Sequence, residues 1–412
     1  MNILKPIMMS TAVLLATSCN VASTDEKVID KPEFKSENGV FSIEAMQALG
    51  RVSSPTLSPD KKKVLYGISY ESVEENRSNN DLYVMNIDGS ENTRITKTTK
   101  SESNPVWIER GSKIAFLYPN EDGVMQMWTM NADGSERKMV SNVEKGLNGF
   151  ILSPDEKKVV FISNIKSATT AQDIYSDLPK ATGIVVDDLM YKHWDEWVKE
   201  IPHPFLADFN GSELTNIIDI MESEPYEAPM KPFGGVESLA WSPDSKEVIY
   251  VSRKKTGKEY AESTNSDLYL YNIESKTTTN LTESMMGYDT NPVYSPDGKY
   301  VAWLSMERDG YESDKNRIFI LDRKTGEKTD LTKDWDYTVN SIAWSPNSKS
   351  IFFVAHHQGV TPVFNVDLKK KDVKEIAGGV VDYADIIPVD DKTLIALNHS
   401  MLYPNEIFSV KN

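Results

Sequence analysis

The sequence predicts an all-β protein: a seven-bladed β-propeller with four-stranded blades, the last of them incomplete. First, a Ser-Pro-Asp or Ser-Pro-Asn turn recurs five times, each copy followed by a β-rich run. Second, two degenerate copies complete a series of seven, mostly about 45–50 residues apart, which is a blade-length repeat. Third, a further hairpin, often closed by Asp-Gly, follows most of these turns, and two hairpins supply the four strands of one blade. The turns begin at Ser58, Ser153, Ser242, Ser295 and Ser345, and the degenerate copies occupy residues 106–113 and 387–392.

Each position of the repeated turn has a physical reason. Serine suits the first position, proline fixes φ at the second, Asp or Asn suits the third, and a polar residue or glycine closes the turn. Four tryptophans fall at what look like equivalent places in the repeats, and we expect them in the blade cores rather than at a ligand. They are Trp107, Trp241, Trp303 and Trp344.

Composition excludes several functional classes. The chain has 412 residues and a net charge of −17, so a nucleic-acid partner is not expected, because phosphate binding needs a basic face. The five histidines are scattered, and adjacent His356 and His357 point to opposite faces of a strand. We therefore expect no metal site and no cofactor.

The first residues resemble a bacterial lipoprotein signal peptide, residues 1–19. Lys5 supplies positive charge, a short apolar stretch follows, and the only cysteine of the chain, Cys19, stands where a lipid would be attached. An ordinary cleaved signal with a chance cysteine is the alternative. Residues 20–40 are polar and read as a flexible tether. This predicts a secreted, lipid-anchored protein of the cell envelope, in the periplasm or at the outer membrane, that touches the membrane only through its lipid.

Residues 41–412 are assigned to the propeller. A short helix is expected from Ser42, a good N-cap, to Leu49, before the first blade. Blade three carries an insertion at about residues 164–203, far longer than a hairpin loop needs, and long insertions on rigid scaffolds tend to carry function. The last blade reaches only its third strand at Asn412, so the ring ends one strand short unless N-terminal residues supply the fourth.

The insertion contains the candidate substrate-contact residues Trp194, Asp195, Glu196 and Trp197. In one interpretation a carboxylate at the mouth of the ring attracts the free ammonium of a peptide. In the other, this stretch is a twisted hairpin whose tryptophans pack on blades three and four while the acids face solvent. His193 is interpreted as structural, because no Ser or Cys nucleophile can be paired with it.

Residues 41–60, 175–180 and 189–197 resemble the prolyl oligopeptidase family of serine peptidases, most of all its bacterial dipeptidyl-peptidase V and acylaminoacyl-peptidase branch. The resemblance implies a seven-bladed propeller that covers a C-terminal α/β-hydrolase domain bearing a Ser-Asp-His triad. This sequence contains no Gly-x-Ser-x-Gly nucleophile motif. No catalytic residue is therefore carried over, and the chain alone is expected to be inactive.

Two functions remain open from the sequence. The chain is the non-catalytic part of such a peptidase, gating and orienting peptide substrates for a hydrolase domain absent from this chain, either truncated or a separate product. Alternatively, it is a stand-alone TolB-like propeller of the envelope that binds a protein or peptide.

Overall fold

A computed structural model describes residues 26–34 and 39–411, which form seven antiparallel sheets arranged as the blades of a ring. Six sheets have four strands and the last has three, which confirms the predicted fold. A short helix, α1 (Ile43–Ala48), precedes the first blade. The proposed signal peptide and Cys19 lie outside the described residues.

The first two blades follow one another with short connections. The strands of blade one are β1 (Arg51–Leu57), β2 (Lys63–Ser72), β3 (Arg77–Asn86) and β4 (Thr93–Arg94). Those of blade two are β5 (Ser103–Ile108), β6 (Lys113–Pro119), β7 (Met125–Asn131) and β8 (Lys138–Met139), with a 3-10 turn at Glu109–Gly111.

Blade three carries the insertion between its second and third strands. Pairing of those two strands continues outward to Lys166 opposite Glu200, so the insertion proper is residues 167–199, slightly shorter than expected. In chain order the segment contains β9 (Gly149–Leu152), β10 (Lys158–Lys166), α2 (Ala171–Ile174), β11 (Lys192–His193), β12 (Glu196–Trp197), β13 (Glu200–Phe209) and β14 (Leu214–Asp219). Strands β11 and β12 form a separate two-stranded sheet outside the blade.

The remaining blades lie close to their predicted positions. After a 3-10 turn at Val236–Ser238, blade four has β15 (Leu239–Trp241), β16 (Glu247–Ser252), the helix α3 (Gly257–Glu262), β17 (Asp267–Asn272) and β18 (Thr277–Asn280). Blade five has β19 (Asp289–Tyr294), β20 (Tyr300–Ser305), β21 (Arg317–Asp322) and β22 (Lys328–Asp330). Blade six has β23 (Val339–Trp344), β24 (Ser350–Ala355), β25 (Val363–Asp367) and β26 (Val373–Ala377), and blade seven has β27 (Asp382–Pro388), β28 (Thr393–Ser400) and β29 (Tyr403–Lys411).

The repeated turn has the geometry that its residues predict. In the first copy the amide of Lys61 donates to the carbonyl of Ser58 at 2.8 Å, and the Ser58 hydroxyl donates to Asp60 at 2.7 Å. The closing residue has a left-handed φ, 61° at Lys61 and 70° at Gly298. Glycine adopts this conformation without strain, and a polar residue is tolerated there.

Three tryptophans join neighbouring blades in the same way. Trp107, Trp241 and Trp344 lie on the innermost strands of blades two, four and six. Each indole donates to a backbone carbonyl on the innermost strand of the preceding blade, at 3.3, 3.2 and 3.1 Å. Trp303 is not equivalent, which corrects the expectation: it lies on the second strand of blade five and donates to Asp289 at 3.1 Å.

Hydroxyl groups tie the outer strands of four blades together. Beyond the fourth strand a Thr or Ser accepts a hydrogen bond from the backbone amide of the third strand. Thr332 accepts from Ile318 at 2.9 Å, and Thr282 accepts from Leu268 at 3.0 Å. Thr96 and Ser141 do the same in blades one and two.

Blade seven closes the ring through side chains. Its sheet contains only β27, β28 and β29, and no strand from the described N-terminal residues joins it. An apolar cluster joins it to blade one, with Val64 and Tyr66 on one side and Ile395 and Ile407 on the other. The Lys61 ammonium also donates to the carbonyl of Val389 across the seam.

The described part of the predicted tether contacts blade one. Ile29 is buried, and Asp30 forms ion pairs with Arg94 at 2.5 Å and Lys97 at 2.9 Å. Helix α1 follows with Ser42 as its N-cap, as predicted. Residues 26–34 are thus held against the ring by one apolar anchor and several ion pairs.

Candidate functional site

Two long connections of blade three build a cleft at one rim of the ring. In an antiparallel blade, the loop between the second and third strands and the connection to the next blade leave from the same rim. For blade three these are residues 167–199 and 220–235, so both lie at the rim that we call the insertion rim. The start of β1, and with it α1, lies at the same rim.

The candidate residues form the tip of a small hairpin. His193 pairs with Glu196, which leaves Trp194 and Asp195 as its two loop residues. Trp194 has a left-handed φ of 53°. That conformation is unusual for a bulky side chain, and such strained residues concentrate at functional sites.

All four predicted substrate-contact residues line one cleft of about 550 Å³, the hairpin cleft. Trp194 is 75% exposed, and Asp195 and Glu196 are also exposed. Within the part of the chain that the structure describes, neither carboxylate forms an ion pair. Lys199 and Lys231 lie in the same cleft, which therefore offers charges of both signs beside two indole rings.

The tryptophans pack within the insertion and its neighbouring loop. Trp197 lies against Tyr191 at 5.8 Å between ring centroids, and the Lys192 ammonium lies 4.5 Å from its ring. Trp194 meets Phe233 edge to face at 5.5 Å. The hairpin of the second interpretation is thus present, but its tryptophans contact the insertion and the 220–235 connection rather than blades three and four. Its acids line the hairpin cleft, and their role in attracting a peptide remains a prediction.

Glu227, which the sequence analysis did not single out, anchors the hairpin to blade four. Its buried carboxylate contacts His193 Nε2 at 3.3 Å and accepts from the backbone amide of Lys231 at 3.1 Å. It also accepts from the hydroxyl of Tyr260. Burial, followed by the Glu227 charge, raises the pKa of Tyr260 well above its ordinary value, so the hydroxyl stays protonated and keeps donating.

A second cavity, of about 390 Å³, adjoins the hairpin cleft, and we call it the methionine pocket. His193, Lys231 and Pro232 line both cavities. Its other walls are mostly apolar and come from the insertion, the 220–235 connection and blades four and five. They include Met190, Met230, Phe233, Tyr260, Tyr288 and Met306, together with Arg253 and Glu312.

The two adjacent histidines have partners of their own. His356 Nδ1 lies 2.9 Å from the Thr361 hydroxyl, and His357 packs against Tyr337 with centroids 4.5 Å apart. Over residues 26–34 and 39–411 no group of three or more His, Cys, Asp and Glu side chains is placed to hold a metal ion.

In the same described ranges, no helix combines the length and apolar character needed to cross a membrane.

The comparisons with known proteins agree on the propeller. The sequence matches the TolB beta propeller domain family over residues 41–181 and 236–407, so the match leaves out the candidate hairpin. Dipeptidyl-peptidase 5 of Porphyromonas gingivalis is 49% identical over 367 residues, which are 89% of this chain and 53% of that protein. The chain spans about half the length of the curated relatives that it matches.

Solved structures share the fold at low sequence identity. An acylaminoacyl peptidase in complex with Z-Gly-Gly-Phe-chloromethyl ketone superposes with a TM-score of 0.67 at 18% identity, over 89% of this chain and 52% of that one. The β-propeller domain of the Trilobed protease from Pyrococcus furiosus, described as having an open velcro topology, gives 0.58 at 15% identity over 88% and 93%. The chain therefore belongs to the TolB β-propeller family, and it is similar in sequence to about half of dipeptidyl-peptidase 5.

Proposed function

We propose that this propeller admits and orients peptide substrates for a serine-peptidase hydrolase domain of the dipeptidyl-peptidase type. The observation that carries the proposal is the hairpin cleft, where two exposed carboxylates, neither paired with a cation of residues 26–34 or 39–411, stand between two tryptophans. A carboxylate pair attracts the free ammonium of a peptide, and the indole faces strengthen binding of a cation. The 49% identity to a dipeptidyl-peptidase 5 supports the choice of substrate class.

The helix α1 offers support for a docking partner at the insertion rim. Ile43 is 69% exposed and Met46 is 48% exposed, so the helix turns an apolar side away from the blades. An exposed apolar patch at a rim is typical of a protein interaction site. In this proposal the hydrolase domain covers that side.

We also propose that the protein is secreted and anchored through a lipid on Cys19. The signal-like residues 1–19 and the single cysteine support this. Labelling of cells with an alkyne fatty acid, followed by capture, tests the anchor: wild type should carry the label and Cys19→Ser should not. Equal labelling of the two forms would contradict it.

Peptide binding by the purified chain tests the substrate proposal. We expect Ala-Phe-amide to bind more tightly than its N-acetylated form in isothermal titration calorimetry, because acetylation removes the ammonium charge. The variant D195N/E196Q should bind both alike, whereas Glu121→Gln, an exposed acid in a loop of blade two, should behave as wild type. Equal binding of the free and acetylated peptides by wild type would refute the assignment of the acids.

A stand-alone TolB-like propeller that binds a protein is the alternative function. It predicts that short peptides do not bind the hairpin cleft and that a folded partner from the envelope does. Peptide titration and affinity capture from envelope extracts therefore give opposite results for the two functions.

A further inference from the structure

Arg253 is a cation in a mostly apolar cavity whose one carboxylate, Glu312, does not form an ion pair with it in the part of the chain that the structure describes. It follows β16 directly and lines the methionine pocket. Among the ion pairs of residues 26–34 and 39–411, none involves Arg253. Its Nε is buried and has no hydrogen-bond partner in those residues.

The guanidinium is held in one position. It stacks over the ring of Tyr260 at 4.5 Å, and Nη1 donates to the carbonyl of the same residue at 3.3 Å. Tyr260 is in turn fixed by Glu227, which also contacts His193 of the hairpin. The buried Nε cannot itself meet a ligand, so an anion would be received by the Nη groups, of which only Nη1 has a partner among the described residues.

A carboxylate is the anion that best matches the Arg253 guanidinium and the apolar residues around it. A guanidinium recognises a carboxylate through paired hydrogen bonds, and an immobilised one loses little entropy in doing so. Three methionines and Phe233 form much of the remaining lining, together with Glu312 as its one carboxylate, and flexible thioethers adapt to apolar side chains of different shapes. A ligand that matches both the guanidinium and the apolar lining carries an apolar side chain next to a free carboxylate.

The charged residues of the two cavities determine the direction in which a peptide would bind. The hairpin cleft has Asp195 and Glu196 at the hairpin tip, and the methionine pocket has Arg253. His193, Lys231 and Pro232 border both cavities, so the two lie side by side at the insertion rim. We propose that the insertion rim binds short zwitterionic peptides, with the amino end at the acids of the hairpin cleft and an apolar C-terminal residue in the methionine pocket, its carboxylate on Arg253.

This inference rests on the proposed function for the amino end only. It adds a substrate class, short peptides with a free carboxylate and an apolar last residue. Lys231 is the competing cation, since it lines both cavities. Its ammonium is more mobile and more strongly hydrated than the stacked guanidinium, so Arg253 is the better fixed anion site.

The test titrates the full chain with Ala-Phe, Ala-Phe-amide, acetyl-Ala-Phe and Ala-Lys by isothermal calorimetry. Amidation of the C-terminus should weaken binding to wild type about tenfold or more, as expected for loss of a hydrogen-bonded ion pair. Ala-Lys should also bind more weakly, because a charged side chain enters the apolar pocket. Arg253→Gln should bind Ala-Phe and Ala-Phe-amide alike. Arg308→Gln is the matched control: Arg308 also stacks on a tyrosine, Tyr311, and lines neither cavity, so this variant should keep the preference of wild type.

The outcomes separate this inference from the proposed function. Equal affinity of wild type for Ala-Phe and Ala-Phe-amide overturns the carboxylate site at Arg253. This holds even if acetylation still weakens binding and so supports the role of Asp195 and Glu196. A preference that survives Arg253→Gln but disappears in Lys231→Gln also overturns it. Loss of binding on acetylation reports only on the hairpin acids. The amide comparison in wild type stands whether or not a variant folds, and failure of every peptide to bind overturns both proposals.

Discussion

The buried carboxyl group of Asp289 makes the stability of the ring depend on pH. Asp289 begins β19 and is completely buried; Oδ1 accepts from the Trp303 indole at 3.1 Å, while Oδ2 has no partner among the described residues. Burial raises its pKa from 3.8 to about 7, although the nearby hydroxyls of Ser305 and Thr282 oppose the shift. The folded protein therefore favours the protonated acid far more than the unfolded chain does.

The sign and size of the effect follow from this shift. A pKa that is higher in the folded state adds stability below the unfolded value, and this is lost as the pH rises through the folded value. One pKa unit corresponds to about 1.4 kcal/mol, so this group alone lowers the free energy of unfolding by about 3 kcal/mol between pH 5 and pH 8. Asp289→Asn keeps the shape and the bond to Trp303 but cannot ionise, so it should lack this decrease.

Urea unfolding followed by tryptophan fluorescence measures both proteins across that range. Other acids contribute equally to wild type and variant, so the difference between the two curves isolates Asp289. Asp122→Asn, at an exposed loop position in blade two, is the matched control and should keep the pH dependence of wild type. Parallel curves for wild type and Asp289→Asn would refute the reasoning.

Three further predictions concern a hydroxyl that links two outer strands, a closely packed glycine and the reactivity of the chain toward a serine-directed probe. Thr332→Val should lower the free energy of unfolding by about 1–3 kcal/mol in urea titrations, because the amide of Ile318 loses its acceptor, while Thr332→Ser stays near wild type. Gly287→Ala should cost about 1–3 kcal/mol in the same assay, since its Cβ would lie 2.0 Å from the carbonyl oxygen of Met306; no loss would mean that this backbone gives way easily. The purified chain should not react with a fluorophosphonate probe, because its sequence has no Gly-x-Ser-x-Gly motif, and stoichiometric labelling would contradict the non-catalytic assignment.

The blades were predictable because their signals are local. Ser58, the proline after it and Asp60 determine a turn within a few residues, and the same chemistry returns in each repeat. The helix at Ile43–Ala48 follows from its N-cap in the same way. The equivalence of Trp303 was wrong because Trp241 and Trp344 directly precede the repeated turn, whereas Trp303 follows the turn that begins at Ser295 and lies on the strand that leaves it.

The site was predictable only in part. The insertion stood out by its length, and its hairpin was one of the two interpretations. Glu227 could not be found, because its partner is far away in the sequence: it contacts His193 across 34 residues. Arg253 stacks on Tyr260 only seven residues later, but the residues that surround the two come from other connections and blades. Neither lies in a recurring motif, and nothing in the sequence around an acid or an arginine in a loop shows that its side chain will line a cavity.

The seam between blades one and seven is the one blade junction that the polypeptide chain does not cross. At the other six junctions the polypeptide itself runs from one blade into the next, so neighbours stay tethered even when their contacts loosen. At this seam the contact is made by an apolar cluster that includes Val64, Tyr66, Ile395 and Ile407. Once they part, a circle in which every repeat has two neighbours becomes a linear array with two bare apolar ends. This seam is therefore the one junction of the ring that can open without unfolding a blade or stretching a connection between blades.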